Sequence, residues 1–255
     1  MDISLNHLIV TLFIALAGAG LFVLTRRVQQ GRKVGLRPHS GYSALQKQVG
    51  RSVESGQRMH VSLGRGNLSG PAAVSSVAAL TMLDHLAEGS CASDMPPVVT
   101  VGDGTLLIAG QDQVRQAYHQ AHRQAEYRAS VVQFQASETF PLVLGVGVNH
   151  VLNSKRLGNN ILTGRFGAEI ALMTEAGERA QMEQLISSDD PVALAIAYPV
   201  TTQVIIGEDH LAAGAFLQRH PAQLASLQLQ DILRLLVAGT ILLTTFWGII
   251  AAFAR

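Results

Sequence analysis

The chain has 255 residues, a formal net charge of +1, and 15% charged against 48% hydrophobic residues. So small a net charge excludes the global attraction of a nucleic-acid-binding surface, and the low charge density points to membrane segments. The single cysteine, Cys91, excludes an intrachain disulfide, so the fold needs no oxidising compartment.

Leu8–Thr25, LIVTLFIALAGAGLFVLT, is an uncharged apolar run about as long as a bilayer crossing requires. A cleaved signal peptide is the rival reading, but its basic leader is missing: the residues before Leu8 include Asp2 and no Lys or Arg. The basic residues follow the run instead, at Arg26, Arg27, Arg32, Lys33 and Arg37. That asymmetry predicts an uncleaved anchor with its N-terminus outside and the following chain in the cytoplasm. Ala15, Ala17, Gly18, Ala19 and Gly20 make a small-residue surface. With no extended GxxxG pattern, it reads as ordinary membrane-helix composition.

From Arg26 to Arg65 the only acid is Glu54. Such a basic neck is drawn to anionic headgroups, although a topology signal and a solvated linker account for most of its charges. Within it Tyr42, Leu45, Val49 and Val53 recur at helical spacing. They predict an amphipathic helix over Gly41–Ser55, capped by Ser40 and packed on the domain that follows.

Strand and helix signals then alternate. Met59–Leu63 reads as a strand, followed by the turn Gly64–Gly70 and a helix over Ala72–Ala87 that opens at Pro71 and stops at Glu88-Gly89-Ser90. Val98–Val101 is a buried strand, Gly102-Asp103-Gly104 a turn, and a helix runs to about Gln124. Ser130–Gln135 is a third strand. Phe140–Asn153 is apolar but too short to span, and predicts a buried helix. Strands at Asn160–Thr163, Gln181–Ser187 and Gln203–Ile206 alternate with helices at Ala168–Ala176 and Val192–Val200, and with a last one from Gly207 to near Gln218. Leu235–Ala254 is a second charge-free run long enough to cross.

Alternation of this kind implies right-handed βαβ units. The predicted class is α/β: a mostly parallel, Rossmann-like sheet with helices on both faces, flanked by an N-terminal and a C-terminal transmembrane helix. The expected organisation is a membrane helix over 5–25, a basic neck over 26–57, a cytoplasmic α/β domain over 58–220 and a membrane helix over 233–254. Leu80, Val99 and Ile205 are expected in its core.

The candidate ligand site is the glycine turn. Gly64, Arg65, Gly66, Asn67, Ser69 and Gly70 lie between a strand and a helix, where backbone N–H groups seat anions and Arg65 would supply counter-charge. Asp103 ends the next strand, where a ribose-binding acid would stand. The spacing is G-x-G-x-x-x-G rather than G-x-G-x-x-G, and Asp103 is too far along the chain for the fingerprint. Tight-turn glycines also occur without a ligand.

Other constellations have plainer readings. His119 and His122 have helical spacing but no further ligand, which suits surface histidines better than a metal. Asp189-Asp190 and Glu208-Asp209 suit helix starts. Cys91 reads as an inert thiol, and no nucleophile elbow, P-loop or H-E-x-x-H is present. Catalytic residues and cofactors are therefore unassigned, and no metal is implied.

The segments HVSLGRGNLSG, VVTVGDGTLL, SSDDPVALAIAYP and VIIGEDHLAAGAFL, with the two apolar runs, resemble an uncharacterised family of bacterial membrane proteins. In that family a cytoplasmic α/β domain lies between terminal membrane helices. The resemblance implies topology and no catalytic residue. Two functional classes follow. One is a noncatalytic accessory module that binds a membrane-protein partner, a second copy or a ligand at the bilayer. The other is a membrane-bound enzyme or sensor holding a nucleotide or phosphate on the glycine turn. Reporter fusions after Arg37 and after Arg255 should report opposite sides of the membrane; the same side for both would overturn the hairpin topology.

Overall fold

Short apolar strands alternating with helices can bury both faces of a sheet only if the helices cross over it on either side. The computed structural model, which describes residues 5–32, 34–135, 139–201 and 203–253, has that arrangement. Asp2, Lys33 and Arg255, charges read for topology, and Ala254 at the end of the second run lie outside the described residues. The chain divides into an α/β domain, Arg37–Gln218, and a second unit of Met1–Leu36 with Arg219–Arg255.

In the domain, α2 (Ser40–Ser55) precedes β1 (Arg58–Gly64), α3 (Ala73–Ala92), β2 (Val98–Val101), α4 (Gly104–Gln120), β3 (Val132–Phe134) and α5 (Pro141–Ser154). Then come β4 (Leu157–Arg165), α6 (Ile170–Arg179), β5 (Glu183–Ser188), α7 (Pro191–Ala197), β6 (Val204–Ile206), α8 (Glu208–Leu211) and α9 (Ala213–Leu217). All six strands are parallel, in the order β3-β2-β1-β4-β5-β6.

Alternation along each strand sorts the core. Met59, Val61, Leu63, Val99, Ile161 and Ile205 face one layer, with Leu80 and Leu83 of α3 and Leu106 of α4. Val98, Leu162 and Ile186 face the other, with Leu144 and Val148 of α5 and Ile170 and Met173 of α6. Leu80, Val99 and Ile205 are all buried, as expected.

The second face also carries a polar lane across four strands. Asn160 Nδ2 donates to Gln184 Oε1 at 3.1 Å, and Gln184 Nε2 donates to the Thr174 carbonyl at 3.0 Å. Asn160 Oδ1 is thereby left to accept from His60 Nδ1 at 2.8 Å, and His60 Nε2 accepts from the Thr100 hydroxyl at 2.9 Å. The chain of donors fixes the His60 tautomer. Gly177 of α6 lies over these amides: a Cβ there would stand 2.6 Å from Gln184 Oε1.

Several elements differ from expectation. Helix α3 runs through Gly89 to Ala92, because Gly89 is where α2 leans on it; a Cβ there would meet Val49 at 2.8 Å. Helix α4 ends at Gln120, four residues early, and His122 takes a left-handed φ of 57°. The last expected helix is two pieces bent at Ala212, which lets His210 and Ala213–Ala215 all be buried. Helix α5 is only half buried: Leu144, Val148, Val151 and Leu152 point inward, while Leu142, Val143 and Val146 are exposed. Helix α2 starts at Ser40, and its N-cap is the His39 imidazole, accepting from Gly41 N.

The other unit pairs α1 (Leu5–Gln29) with α10 (Pro221–Phe253), both long and apolar enough to cross a membrane. Helix α10 starts well before the apolar run, with Pro221 at its first position. Ala17, Gly20, Leu21, Leu24, Thr25 and Val28 form the half-covered stripe of α1, and a Cβ at Gly20 would stand 3.3 Å from Leu229. Part of the small-residue surface thus serves close helix approach within the chain. The hydroxyls of Thr11, Thr25, Thr240, Thr244 and Thr245 all donate to carbonyls of their own helix, so none needs water.

Burial holds the His60 pKa down at about 4 against 6.5 in the free side chain. The unfolded chain therefore takes up this proton at higher pH than the folded one. Stability should be full above about pH 6.5 and should fall by about 3 kcal/mol as the pH drops towards 4. Chemical denaturation of the purified protein across that range should show this slope, and His60→Gln should reduce it, the remainder coming from His85 and His210, whose pKa values burial also lowers.

Candidate functional site

In an open parallel sheet, ligands bind beyond the strand C-termini where the strand order reverses. Here that point lies between β1, whose chain leaves to α3 on one face, and β4, whose chain leaves to α6 on the other. The loops meeting there are Gly64–Gly70, Gly102–Asp103, Arg165–Glu169 and Ser188–Asp190.

These loops are tied to one another. Arg65 N donates to Arg165 O at 3.0 Å, and Gly102 N to Gly64 O at 2.8 Å. Gly64 has φ 70°, and a Cβ on it would stand 2.3 Å from the Arg165 carbonyl, so only glycine fits. Arg65 Nε donates to Glu169 Oε1 at 2.9 Å, and Gly167 N donates to the same oxygen at 2.8 Å. The Glu169 side chain is 2% exposed and that of Arg65 24%. The guanidinium lies so close over Gly167 that a Cβ there would be 2.9 Å from Nη2.

The seven predicted residues do come to one edge, but with other partners. Arg65 is matched to Glu169. Gly66 is bare because α3 packs on it: a Cβ would stand 2.6 Å from Ser76 Oγ, which has no partner among the described residues. Asn67 Oδ1 accepts from Ser69 N at 3.2 Å, an Asx turn that shapes the loop. Ser69 is the N-cap of the short 3-10 turn Gly70–Ala72 that leads into α3, and its side chain makes no cap bond. Gly70 has φ 74° with open space around it. Asp103 caps α4, accepting from Thr105 N at 2.8 Å and Leu106 N at 3.2 Å. Thr105 Oγ1 in turn accepts from Leu68 N at 3.1 Å, so Asp103 reaches the glycine turn through Thr105.

A second cluster was not legible beforehand. His210 of α8 contacts Ser187 Oγ at 2.8 Å through Nδ1 and Ser75 Oγ at 3.1 Å through Nε2; Ser75 Oγ donates to Asp189 Oδ1 at 2.8 Å. Because Ser75 gives its proton to the carboxylate, its oxygen accepts from His210 Nε2–H, and Nδ1 accepts from Ser187. This polarity is the reverse of an activated serine, whose histidine must accept the serine proton. Ser75 is also 1% exposed. The cluster binds α3, β5 and α8 together. Asp190, beside it, is the α7 cap, accepting from Val192 N at 2.9 Å. Asp209 pairs with His39 at 3.3 Å.

Burial pushes the Cys91 thiol up to about 11, away from the reactive thiolate. Among the described residues, no group of three or more His, Cys, Asp or Glu side chains is placed to hold a metal ion. Glu169, Ser75 and His210 carry no local motif: the pairings Arg65–Glu169, Ser75–Asp189 and Ser75–His210 each join residues more than 100 positions apart in sequence.

Glu169→Ala should strand Arg65 and cost about 3 kcal/mol, as should Arg65→Ala by leaving Glu169 buried and unpaired. The double variant should cost much less than the sum. A denaturation double-mutant cycle measures this, and additive losses would mean that the two groups act independently.

No curated protein and no solved structure is detectably similar to this chain. A profile described as a domain of unknown function, DUF6754, matches residues 2–255. Since that match spans almost the whole chain, the protein belongs to the DUF6754 family, a family without an assigned activity.

Proposed function

We propose that this chain is a membrane-anchored docking module, with α1 and α10 in the bilayer and the α/β domain in the cytoplasm, presenting an apolar rim to a partner protein and carrying out no reaction itself. The observation that carries the reading is where the domain exposes large apolar side chains. Nearly all sit at the C-terminal edge of the sheet; Val53 and Tyr198 are the exceptions. The densest group is Phe134 at the end of edge strand β3, with Phe140, Leu142, Val143 and Val146 at the start of α5, four of them more than half exposed. Exposed large apolar side chains grouped in this way mark interaction sites.

Helix α5 contains no Asp, Glu, Lys or Arg, so its partner surface is uncharged and apolar rather than electrostatically matched. The pairing at the crevice supports the same reading, because the Arg65 charge that would meet a phosphate is already matched by Glu169. The alternative, a nucleotide-binding enzyme or sensor using Gly64–Gly70, keeps two supports: the Rossmann-like strand order and the open space beside Gly70.

A photo-crosslinking residue at Val143 should give one discrete adduct in native membranes, and Val146→Asp should abolish it. The same probe at Tyr198, more exposed than Val143 and on the opposite edge, should give none. Equal labelling from both positions, or measurable heat on adding nucleotides to the purified chain, would overturn the reading.

A further inference from the structure

At the end of the α1–α10 pair where the Arg-bearing segment begins lies a cleft of about 570 Å³, lined by Val28, Arg32, Val34, Leu36, Arg219 and Leu224 together with two glycines. All of it belongs to the unit formed by the two terminal segments. The sequence builds it locally. Helix α1 closes in a Schellman turn: Gly31 takes φ 95°, its N–H donates to Val28 O at 3.0 Å, and Arg32 N donates to Arg27 O at 3.2 Å. That turn directs the chain back along the helix end and leaves Arg32 on the cleft wall. On the other wall Arg219 is held at φ 51°, a left-handed conformation unusual for arginine, immediately before His220-Pro221 opens α10.

The chemistry of the lining is two-sided. Arg32 and Arg219 are exposed, and neither takes part in an ion pair among the described residues. Two unmatched guanidinium forks on one cleft suit a phosphate, which each can bind in bidentate fashion. Val28, Val34, Leu36 and Leu224 supply an apolar wall beside them, and Leu224 is buried. Val28 lies one helical turn beyond Thr25, the last residue of the apolar run, which is headgroup depth if α1 spans. Arg26 already lies over the Phe22 ring at 4.9 Å, an arrangement that suits a membrane–water interface.

We propose that this cleft binds the phosphate-bearing headgroup of an anionic phospholipid, a proposal that rests on α1 and α10 spanning a membrane. Basic pockets between membrane helices on the cytoplasmic side recognise such headgroups. The apolar wall separates this ligand from free phosphate, since only a lipid brings glycerol and acyl carbons to cover it.

The test uses the full chain in phosphatidylcholine nanodiscs doped with phosphatidylglycerol, with retained lipid read by native mass spectrometry. Brominated acyl chains should quench Trp247, the only tryptophan, in wild type and variants alike, which reports insertion independently of headgroup. Wild type should retain phosphatidylglycerol over phosphatidylcholine, and the pair Arg32→Gln, Arg219→Gln should lose that preference about tenfold with unchanged thermal unfolding. The pair Arg115→Gln, Arg179→Gln, equal in charge but on α4 and α6, should keep it. Quenching with the same lipid preference in wild type and the Arg32/Arg219 variant would overturn the proposal and leave the membrane reading standing. No quenching would remove both. Displacement of the lipid by inorganic phosphate, but not by chloride of equal ionic strength, would reassign the cleft to a soluble anion.

Discussion

The contact between Arg65 and Glu169 decides what the α/β domain is able to do. A carboxylate that is almost wholly buried must be matched, and here a guanidinium and a backbone N–H match it on one oxygen. The two partners follow β1 and β4, the pair of strands between which the sheet reverses its order. The crevice that open α/β folds use for ligands is thus crossed by the protein's own charges. Glycines at 64, 102 and 167 lie beneath and beside the pair, where any side chain would collide with it or with the loops it joins. Of the three glycines that resemble an anion cradle in sequence, Gly64 clears the Arg165 carbonyl and Gly66 clears Ser76 of α3, while Gly70 has open space around it.

The α/β class, the six strands and the two terminal helices were legible because they depend on local periodicity. Val98–Val101 is apolar on both faces and flanked by turn residues, and its ends came out as expected. Helix ends were less legible. Gly89 looks like a stop signal, yet it is a contact point with Val49 inside the last turn of a longer helix. The outward face of α5 also escaped notice, since an apolar run without charge does not reveal which of its sides is covered. Of the candidate site, the positions were legible and the partners were not. Asp103 is a helix cap whose role follows from Thr105 and Leu106 next to it, whereas Arg65 depends on Glu169, 104 residues away. Pairings across such distances leave no spacing to read.

The two units handle polar groups differently. In the terminal helices every threonine hydroxyl folds back on its own backbone, so a helix is satisfied before it meets any neighbour. In the domain, several buried polar groups are satisfied across elements: Ser75 with Asp189 and His210, Gln48 with Gln203, Asn159 with the Gln48 carbonyl. The first kind of satisfaction tolerates a change of neighbours, and the second requires the completed fold.

The lane of Thr100, His60, Asn160 and Gln184 has a consequence for how the sheet finds its pairing. Where only one face of a sheet is buried, a strand slipped by one residue exposes its apolar side and is rejected on that ground. This sheet is covered on both faces by helices, so the alternation in VVTV or LISS penalises slippage weakly. The lane supplies the missing discrimination. His60 lies opposite Asn160, and Asn160 opposite Gln184, in the ladder itself. A slip of one residue at any of the three would strand several buried donors and acceptors at once, each costing on the order of 1–3 kcal/mol. Four side chains thus act as a proofreading device for strand alignment, accepting one registration of β2, β1, β4 and β5 and making its near neighbours unstable.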